Sequence, residues 1–435
     1  MKLQSFPDYK FVEGGVCAAR GFRANGVCCG LRHQALPTDG ISEQNLAANA
    51  AAHDDSAPKK NDLAMIVADR KCAAAAVYTQ NKVKGAPILV TKEHLKDGYA
   101  KAVIVNSVNA NTCNADGEKK ARAMCALAAQ ALNISKEDVI VASTGVIGQI
   151  LPIEPIANAI PELVDGLSAR GNTEAMHAIM TTDTHEKEIA VSFRAGKKIC
   201  RLGGMLKGSG MIHPNMATTL TFLTTDCAIS PEMLQMALSD VVRVTLNRVS
   251  VDGDQSTNDM VCILASGLAD NTQITCENQD YAAFRGALYT VMLNLARMCA
   301  ADGEGATKLI ECVVSGADSE DIAETVAKSV IESSLFKAAM FGADANWGRI
   351  ACAMGYADCD FDISKVSVDL ASEKGRIAVA RNGFGVPFSE EEAKEILLED
   401  EIQVLICLNS GDASAIAWGC DLTYDYVKIN GDYRS

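Results

Sequence analysis

The pattern of apolar and polar positions along the chain predicts a mixture of helices and strands. Where apolar residues recur every three or four positions, the pattern is typical of a helix with one buried face. That spacing occurs at 118–132, 154–168, 231–248, 281–299, 319–338 and 390–399. The predicted helices begin at residue 118 and recur through the rest of the chain.

Short apolar or alternating runs predict strands between these helices. They occur at 64–68, 74–78, 101–106, 138–145, 189–202 as a hairpin, and 218–225. Polar residues 69–71 predict a turn between the first two strands, and residues 39–60 predict a loop. The glycine-rich segment 203–210 predicts a break in regular structure. The aromatic tail 424–435 is β-prone and predicted to dock on the protein. Because strands and helices do not alternate regularly, an α+β fold with layered antiparallel sheets is predicted.

Composition narrows the class of protein. A chain of 435 residues favours two domains, and a net charge of -15 disfavours a nucleic-acid partner. The sixteen cysteines are scattered singly among small and apolar residues, as in Met124-Cys125-Ala126, which is typical of reduced, buried thiols. With no signal-peptide pattern and no apolar run of roughly 20 residues, the cytoplasm is expected and a membrane partner is not. No metal-binding spacing is present, so no metal or other cofactor is predicted.

One segment predicts nucleophilic chemistry: Lys207-Gly-Ser-Gly-Met-Ile-His-Pro-Asn-Met-Ala-Thr218. Its glycines permit unusual backbone angles, and Thr218 places a hydroxyl at the start of a predicted strand. An N-to-O acyl shift after Ala217, followed by hydrolysis, would make Thr218 a new N-terminus. Its α-amine, with a pKa of about 7.7–8.0, would then be a base for its own hydroxyl. The alternative is a glycine-rich loop that simply leads into a threonine-rich strand.

Four other segments are candidates for supporting this chemistry. Residues 142–148 end a strand in a turn that would aim a backbone N–H or a hydroxyl at an oxyanion, and the alternative is an ordinary strand-to-loop turn. Residues 301–308 hold two acids at a tight turn, suited to an ammonium group, and the alternative is a loop that ends a helix. Residues 251–259 resemble a cation loop but lack the EF-hand spacing, so a solvated turn or a hydrogen-bonded loop that supports a site is the alternative. Residues 344–349 carry Asn, Trp and Arg, which serve in recognition or in capping and packing.

Taken together, these motifs resemble the ornithine acetyltransferase family, the glutamate N-acetyltransferases of arginine biosynthesis. The resemblance covers essentially the whole chain. The matching motifs are Gly21-Phe-Arg-Ala, Asp62-Leu-Ala-Met-Ile-Val-Ala-Asp, Met180-Thr-Thr-Asp-Thr184, the 207–218 segment, Ser250-Val-Asp-Gly-Asp, Asp302-Gly-Glu-Gly-Ala-Thr-Lys, Asp344-Ala-Asn-Trp-Gly-Arg and Trp418-Gly-Cys-Asp-Leu-Thr-Tyr-Asp-Tyr.

The resemblance implies an αββα sandwich of the ornithine acetyltransferase/DmpA-like type, similar to N-terminal-nucleophile hydrolases. It implies cleavage between Ala217 and Thr218 into an α chain of residues 1–217, which carries the oxyanion-hole loop, and a β chain of residues 218–435. The implied assembly of these chains is an α2β2 heterotetramer or a larger form. The implied reaction moves acetyl from N2-acetyl-L-ornithine to L-glutamate through an acetyl-threonine enzyme, with acetyl-CoA as a possible further substrate.

The resemblance also assigns site residues. Thr218 is the implied nucleophile, and Thr144 and Gly145 are the implied oxyanion hole. The implied substrate contacts are Thr181, Lys207, Thr218, Glu304, Asn430 and Ser435. Thr219 differs from the methionine that the family often has after the nucleophile, so a second hydroxyl stands beside Thr218.

Two other classes of protein fit part of the pattern. An N-terminal-nucleophile aminopeptidase or amidohydrolase would use the same threonine with water as the acceptor. A non-catalytic small-molecule binding protein would keep the glycine-rich loop without being cleaved.

Overall fold

The computed structural model describes residues 1–31, 60–213 and 219–431. The predicted loop at 39–60 therefore lies outside the described residues except for Lys60, and so do Ala217, Thr218 and Ser435. Within the described ranges, no helix is long and apolar enough to cross a membrane.

The strands form two mixed sheets. In chain order they are β1 (Lys10–Val12), β2 (Phe22–Val27), β3 (Leu63–Tyr78), β4 (Tyr99–Asn106), β5 (Val139–Ser143), β6 (Glu188–Ala195), β7 (Lys198–Lys207), β8 (Leu220–Thr225), β9 (Val249–Ser250), β10 (Met260–Ala265), β11 (Leu309–Ala317), β12 (Ser367–Ser372), β13 (Gly375–Arg381), β14 (Phe384–Gly385), β15 (Glu401–Cys407) and β16 (Ala413–Cys420). The first sheet has the order β1-β6-β7-β8-β10-β3-β4-β5, with β2 also paired to β3, and the second has the order β14-β13-β12-β15-β11-β16-β9.

The α-helices cover these sheets. They are α1 (Ala86–His94), α2 (Gly117–Leu132), α3 (Ile153–Asp165), α4 (Asn172–Ile179), α5 (Pro231–Val244), α6 (Gln279–Ala301), α7 (Glu320–Glu332), α8 (Ser334–Phe341), α9 (Trp347–Gly355), α10 (Glu390–Leu397) and α11 (Tyr424–Gly431). All six predicted helices are confirmed, although the segment at 319–338 is divided into α7 and α8. Short 3-10 turns connect several of these elements.

The first sheet folds over on itself because β3 is long enough to belong to both halves. Its first part pairs with β2 and β4, and its second part pairs with β10. Ile66 from the first part, Val103 of β4 and Phe222 of β8 lie in one buried apolar cluster, so the two halves pack face to face. The apolar surface buried between the two halves of this sheet is the main contribution to the stability of the fold at this point.

Helices complete the sandwich on both outer faces. Leu223 of β8 packs with α5 and α6 on one side, and Met65 of β3 packs with Met124 of α2 and Ile156 of α3 on the other. The resulting order of layers is helix, sheet, sheet, helix. The predicted α+β class and αββα sandwich are therefore confirmed.

The second sheet shares α6 with the first. Ile310 and Val404 on one face pack with α7, α9 and α10, whereas Leu309 and Trp418 on the other face belong to the core that contains α6. Charged groups reinforce this contact, since buried Arg297 of α6 donates to Glu311 of β11 at 2.7 Å and to Glu401 of β15 at 2.8 Å.

The predicted turn at 69–71 is wrong, because β3 runs through it without interruption. Asp69, Arg70 and Lys71 are exposed and sit where the register of β3 with β4 shifts between Val67 and Cys72. The strand leaves one half of the sheet and enters the other at this irregularity. A run of exposed polar residues is therefore found at a bend within a strand as well as at a turn between two strands, and the sequence pattern is the same in both cases.

The predicted break at 203–210 is wrong over its first part, because β7 continues to Lys207. Gly203 is required by close packing, since a Cβ there would lie 1.9 Å from the carbonyl oxygen of Gly15. Gly204 is similarly crowded by the Leu223 side chain. These glycines allow neighbouring layers to approach and do not interrupt the strand.

The tail was predicted to be β-prone, but its described part is the helix α11. The hydroxyl of Thr423 accepts a hydrogen bond from the backbone N–H of Asp425 at 3.2 Å, which caps the start of the helix. The prediction that the tail docks is confirmed for these residues, because Asn430 donates to Glu304 at 2.7 Å.

Candidate functional site

A cavity brings together residues that are far apart in the sequence. It lies at the ends of β5 and β7, at the start of β8, and beneath α11. Its lining comprises Ala110, Thr144, Gly145, Ile147, Thr181, Thr182, Lys207, Gly210, Met211, Thr219, Leu220, Ser256, Thr257, Asn258, Asp259, Glu304 and Asn430. The described residues among those assigned by resemblance all belong to this set: Thr144, Gly145, Thr181, Lys207, Glu304 and Asn430. Thr218, Ala217 and Ser435 lie outside the described residues.

The turn after β5 presents free hydrogen-bonding groups to the cavity. Gly145 has a φ of 126°, and a Cβ there would lie 2.0 Å from the carbonyl oxygen of Val108. The backbone N–H of Thr144 is used, since it donates to the carbonyl oxygen of Asn106 at 3.0 Å. Among the described residues, no hydrogen bond engages the Thr144 hydroxyl or the Gly145 N–H. These two groups are therefore available to a molecule in the cavity.

Below the cavity, the side chain of Lys187, the residue just before β6, is buried between two carboxylates. Its Nζ donates to Asp183 at 2.7 Å and also to Asp302. Burial by itself would lower the pKa of Lys187, but the two carboxylates outweigh it and the pKa is raised. Burial likewise would raise the pKa of Asp183, and the charges of Lys187 and Lys207 hold it well below its usual range. Lys187 and Asp183 therefore form a charged pair at neutral pH.

The same two carboxylates hold the backbone around the cavity. Asp183 accepts hydrogen bonds from the N–H of Thr181 at 3.0 Å and of Gly208 at 2.9 Å. Asp302 accepts from the N–H of Thr184 at 3.1 Å. The segments that carry Thr181 and Lys207 are thus fixed relative to each other by one ionic cluster.

The two acids of the 301–308 segment have different surroundings. Asp302 is committed to Lys187, whereas Glu304 lines the cavity and accepts a hydrogen bond from Asn430 of α11 at 2.7 Å. Gly210 permits this arrangement, since a Cβ there would lie 2.3 Å from the Glu304 carboxylate. Glu304 therefore offers negative charge to the cavity.

Positive charge comes from Lys207 at the end of β7, which pairs in register with Leu220 of β8. Asp259 lines the same cavity and is only 4% exposed. Burial raises the pKa of Asp259 well above its usual value, and Ser256 and Lys207 oppose that shift. The cavity thus combines the positive charge of Lys207, the negative charge of Glu304 and the carboxyl group of Asp259, whose ionised form is disfavoured by burial.

Thr219 is the second hydroxyl residue at the predicted cleavage site. It is buried, and its hydroxyl shares a 2.6 Å hydrogen bond with the hydroxyl of Thr221. A hydroxyl held by a neighbouring side chain on the same strand is a poorer candidate nucleophile than a free one. The position of Thr219 therefore gives no reason to prefer it over Thr218.

The 251–259 segment is a hydrogen-bonded loop beside the cavity. The carboxylate of Asp252 accepts from the backbone N–H of Met211 at 2.7 Å and of Ile212 at 2.9 Å. Met211 has a φ of 57°, in the left-handed region. The loop therefore fixes the chain just before the predicted cleavage site, and the hydrogen-bonded loop, rather than a solvated turn, describes these residues.

The 344–349 segment does not belong to the cavity. Asn346 precedes α9, and Arg349 donates to the carbonyl oxygen of Leu335 at 2.6 Å. These residues link α8 to α9. Asn346 makes no side-chain capping hydrogen bond, whereas Trp347 packs against the core of the second sheet, so packing is the alternative that the structure supports.

Two residues of this region are not singled out by the sequence pattern: Lys187, and Asn258 within the 251–259 loop. Lys187 stands in the run His185-Glu-Lys-Glu188, which resembles an exposed charged segment. Its burial depends on carboxylates at 183 and 302, and only the tertiary structure places them together. The described residues include no group of three or more His, Cys, Asp or Glu side chains that could hold a metal ion.

Free donors, a cation and an anion around one cavity are the parts that acyl transfer to a small charged molecule requires, provided that a nucleophile is supplied. Comparison with known proteins agrees with that class. The model of the ArgJ family matches residues 47–435. The chain is 48% identical over 377 residues to arginine biosynthesis bifunctional protein ArgJ 1 of Clostridium acetobutylicum, covering 86% of this chain and 92% of that protein.

A second relative, the arginine biosynthesis bifunctional protein ArgJ of Caldanaerobacter subterraneus, is 43% identical over 427 residues, which cover 98% of this chain and 100% of that one. A crystal structure of the ArgJ protein of Bacillus halodurans is 46% identical, with a TM-score of 0.46, and covers 48% of this chain and 97% of the solved chain. The chain belongs to the ArgJ family.

Gly145→Ala should destabilise the protein through a steric clash as well as backbone strain. The added Cβ would meet the Val108 carbonyl, so we expect a loss of roughly 3 kcal/mol in the free energy of unfolding. Gly148→Ala is the matched control, because Gly148 also has a positive φ of 83°, but a Cβ added there would have no other atom within 4 Å. We expect it to cost about 1 kcal/mol. Equal losses in urea denaturation would contradict the clash.

Asp183→Asn should make the free energy of unfolding less dependent on pH in the acidic range. The folded pKa of Asp183 lies below the unfolded value of about 3.9, so its contribution is present above that pH and is lost as pH falls through the folded pKa. The variant leaves Lys187 with one carboxylate, and we expect it to lose roughly 3 kcal/mol at pH 7. Its urea unfolding free energy should then fall less steeply below pH 4 than that of the wild type.

The control for this experiment is Asp318→Asn, since Asp318 is exposed just after β11. It should keep both the wild-type stability and the wild-type pH dependence. An Asp183→Asn variant that behaves like this control would show that the ionic cluster does not stabilise the fold.

Proposed function

We propose that this protein transfers the acetyl group of N2-acetyl-L-ornithine to L-glutamate, giving L-ornithine and N-acetyl-L-glutamate. The observation that carries the proposal is the common cavity: six residues assigned from the family resemblance, spread from position 144 to position 430, all line it. Relatives at 43–48% identity over most of the chain are named for arginine biosynthesis, which supports the same reaction.

The charges of the cavity fit the two amino-acid substrates. Lys207 pairs with the α-carboxylate that acetylornithine and glutamate share, and Glu304 pairs with the side-chain ammonium of ornithine. Asn430 orients the Glu304 carboxylate through its hydrogen bond, and Thr181 and Ser435 are the remaining substrate contacts in the proposal.

The nucleophile is proposed to be made by cleavage of the chain itself. Thr218 Oγ attacks the carbonyl carbon of Ala217, the peptide becomes an ester, and water hydrolyses it. The products are an α chain of residues 1–217 and a β chain of residues 218–435 that begins with a free α-amine. The backbone N–H groups of Met211 and Ile212, shortly before the cleavage site, donate to the Asp252 carboxylate, which supports a defined geometry for this step.

The acetyl transfer then has two halves. The α-amine of Thr218 takes the proton of its hydroxyl, Oγ attacks the acetyl carbonyl, and the oxyanion is stabilised by the Thr144 hydroxyl and the Gly145 N–H. Collapse breaks the amide bond, and the departing ornithine amine takes the proton from the α-ammonium. The glutamate amine attacks the acetyl ester in turn and releases Thr218, which gives ping-pong kinetics.

The assembly and location belong to the same proposal. The cleaved chains form an α2β2 heterotetramer in the cytoplasm, and no cofactor takes part. Acetyl-CoA serves as a second acetyl donor, in keeping with the word "bifunctional" in the names of the relatives.

Thr218→Ala should leave a single polypeptide and abolish acetyl exchange, with a loss of at least about 10⁴-fold. Wild-type protein should give two chains by intact-mass spectrometry, one of which begins at Thr218 by N-terminal sequencing. Thr219→Val keeps the side-chain shape and should still be cleaved. An intact and fully active wild-type chain would refute the mechanism, and hydrolysis exceeding transfer at saturating glutamate would favour an amidohydrolase instead.

Glutamate acetylation with acetyl-CoA as the sole donor should proceed in the wild type and disappear in Thr218→Ala, because both donors load the same hydroxyl. The measurement is N-acetylglutamate formation in the absence of acetylornithine. Turnover with acetylornithine but none with acetyl-CoA would show that the enzyme is monofunctional.

A further inference from the structure

Asn258 lies at the wall of the cavity, two residues before β10, and is 5% exposed. Its side chain crosses to a different part of the chain. The amide Nδ2 donates to the carbonyl oxygen of Ala110 at 2.6 Å and to that of Ser143 at 2.9 Å. The amide Oδ1 accepts from the hydroxyls of Thr112 at 2.6 Å and Thr257 at 2.5 Å.

These four bonds use the full capacity of the side chain. A primary amide has two N–H donors and an oxygen that accepts two hydrogen bonds. Asn258 therefore cannot bind a substrate without giving up a protein partner. Gly85 also confines the amide, because a Cβ at that position would lie 2.6 Å from Nδ2. The side chain is fixed in place and acts through the groups that it holds.

The groups that it holds flank the turn after β5 on both sides. Ser143 directly precedes Thr144. Ala110 lies on the facing segment, where its N–H donates to the carbonyl oxygen of Val146 at 3.0 Å. The Asn258 amide therefore holds two segments together. One is Ser143, just before Thr144, and the other is the segment of Ala110, which pairs with Val146, just after Gly145.

The backbone next to Asn258 contacts the strand that follows the nucleophile. The N–H of Met260 donates to the carbonyl oxygen of Thr219 at 2.9 Å, and β10 runs parallel to β8 from Leu220 onward. A short segment, 258–260, thus touches both the turn after β5 and the start of β8. In the cleaved enzyme this segment would belong to the β chain and the turn to the α chain.

We propose that Asn258 is a positioning residue that holds the Thr144–Gly145 oxyanion hole in register with the start of the β chain. The inference rests on the proposed function, because it assumes that Thr144 and Gly145 stabilise the oxyanion. Oxyanion-hole bonds strengthen as charge develops on the carbonyl oxygen, so a displaced hole lowers kcat and leaves KM nearly unchanged.

Asn258→Asp tests this role with little change in shape. The variant replaces the Nδ2 donor by an oxygen that faces the carbonyls of Ala110 and Ser143, so the turn is pushed away from its position. We expect kcat for acetylornithine–glutamate exchange to fall about 100-fold, with KM within about threefold of wild type. Rates are expressed per mole of free N-terminal threonine, so that incomplete cleavage does not affect the comparison.

Asn271→Asp is the matched control. Asn271 is also a buried asparagine, and its Nδ2 donates to two backbone carbonyls, Ala228 at 3.1 Å and Thr272 at 2.9 Å, but it does not line the cavity. It should show a similar fall in melting temperature with kcat within about threefold of wild type. A general loss of stability would affect both variants alike.

Thr112→Val provides a second test if Asn258→Asp does not fold. It keeps the shape of the side chain and removes the hydroxyl that donates to Asn258 Oδ1. A loss of roughly tenfold in kcat at unchanged KM is expected. The positioning role is overturned if the folded variants keep kcat within threefold, lose kcat no more than Asn271→Asp, or change KM alone. Wild-type protein without a Thr218 N-terminus or without acetyl exchange would instead overturn the proposed function.

Discussion

The buried ammonium of Lys187 is the interaction on which the rest of the cavity depends. An unpaired charge in the interior is very costly, so folding must bring Asp183 and Asp302 to it. Asp183 then accepts from the N–H groups of Thr181 and Gly208, and Asp302 from that of Thr184. Because Asp302 is held at that point, Glu304 two residues later faces the cavity. A requirement for charge balance thus places the proposed anchors of the substrate, Lys207 and Glu304, at a fixed separation.

The folded-over sheet explains why the cavity draws on both halves of the chain. The turn after β5 belongs to one half of the αββα sandwich, whereas β7, β8 and β10 belong to the other. The loop before β10 crosses between them through Asn258. A chain cut near position 218 would remain held together here, since β8 pairs with β7 and β10 pairs with β3, so that strands after the cut are hydrogen-bonded to strands before it. Packing and hydrogen bonds across the sandwich would therefore keep the two products associated.

Much of the local structure could be predicted, because helices with one buried face repeat their apolar residues at a regular spacing. The helices α2, α3 and α5 follow that rule. The predictions failed where tertiary packing gave residues an unusual role. Residues 69–71 are polar because β3 bends there, and Gly203 is small because another segment lies against it. The tail forms a helix even though its aromatic residues favour strands, since Thr423 caps it and Asn430 anchors it to Glu304.

The sequence by itself determined the α+β class, most helices and, through a resemblance carried by several motifs, the family and the positions assigned to the site. These features are encoded by local periodicity or by residues that remain recognisable in isolation. Only the tertiary structure decided that Thr144, Lys207, Glu304 and Asn430 line one cavity. It also decided that Lys187 is a buried structural cation and that the Asn258 side chain is fully bonded. Burial and the partners of a polar group depend on segments distant in the chain, and no local pattern specifies them.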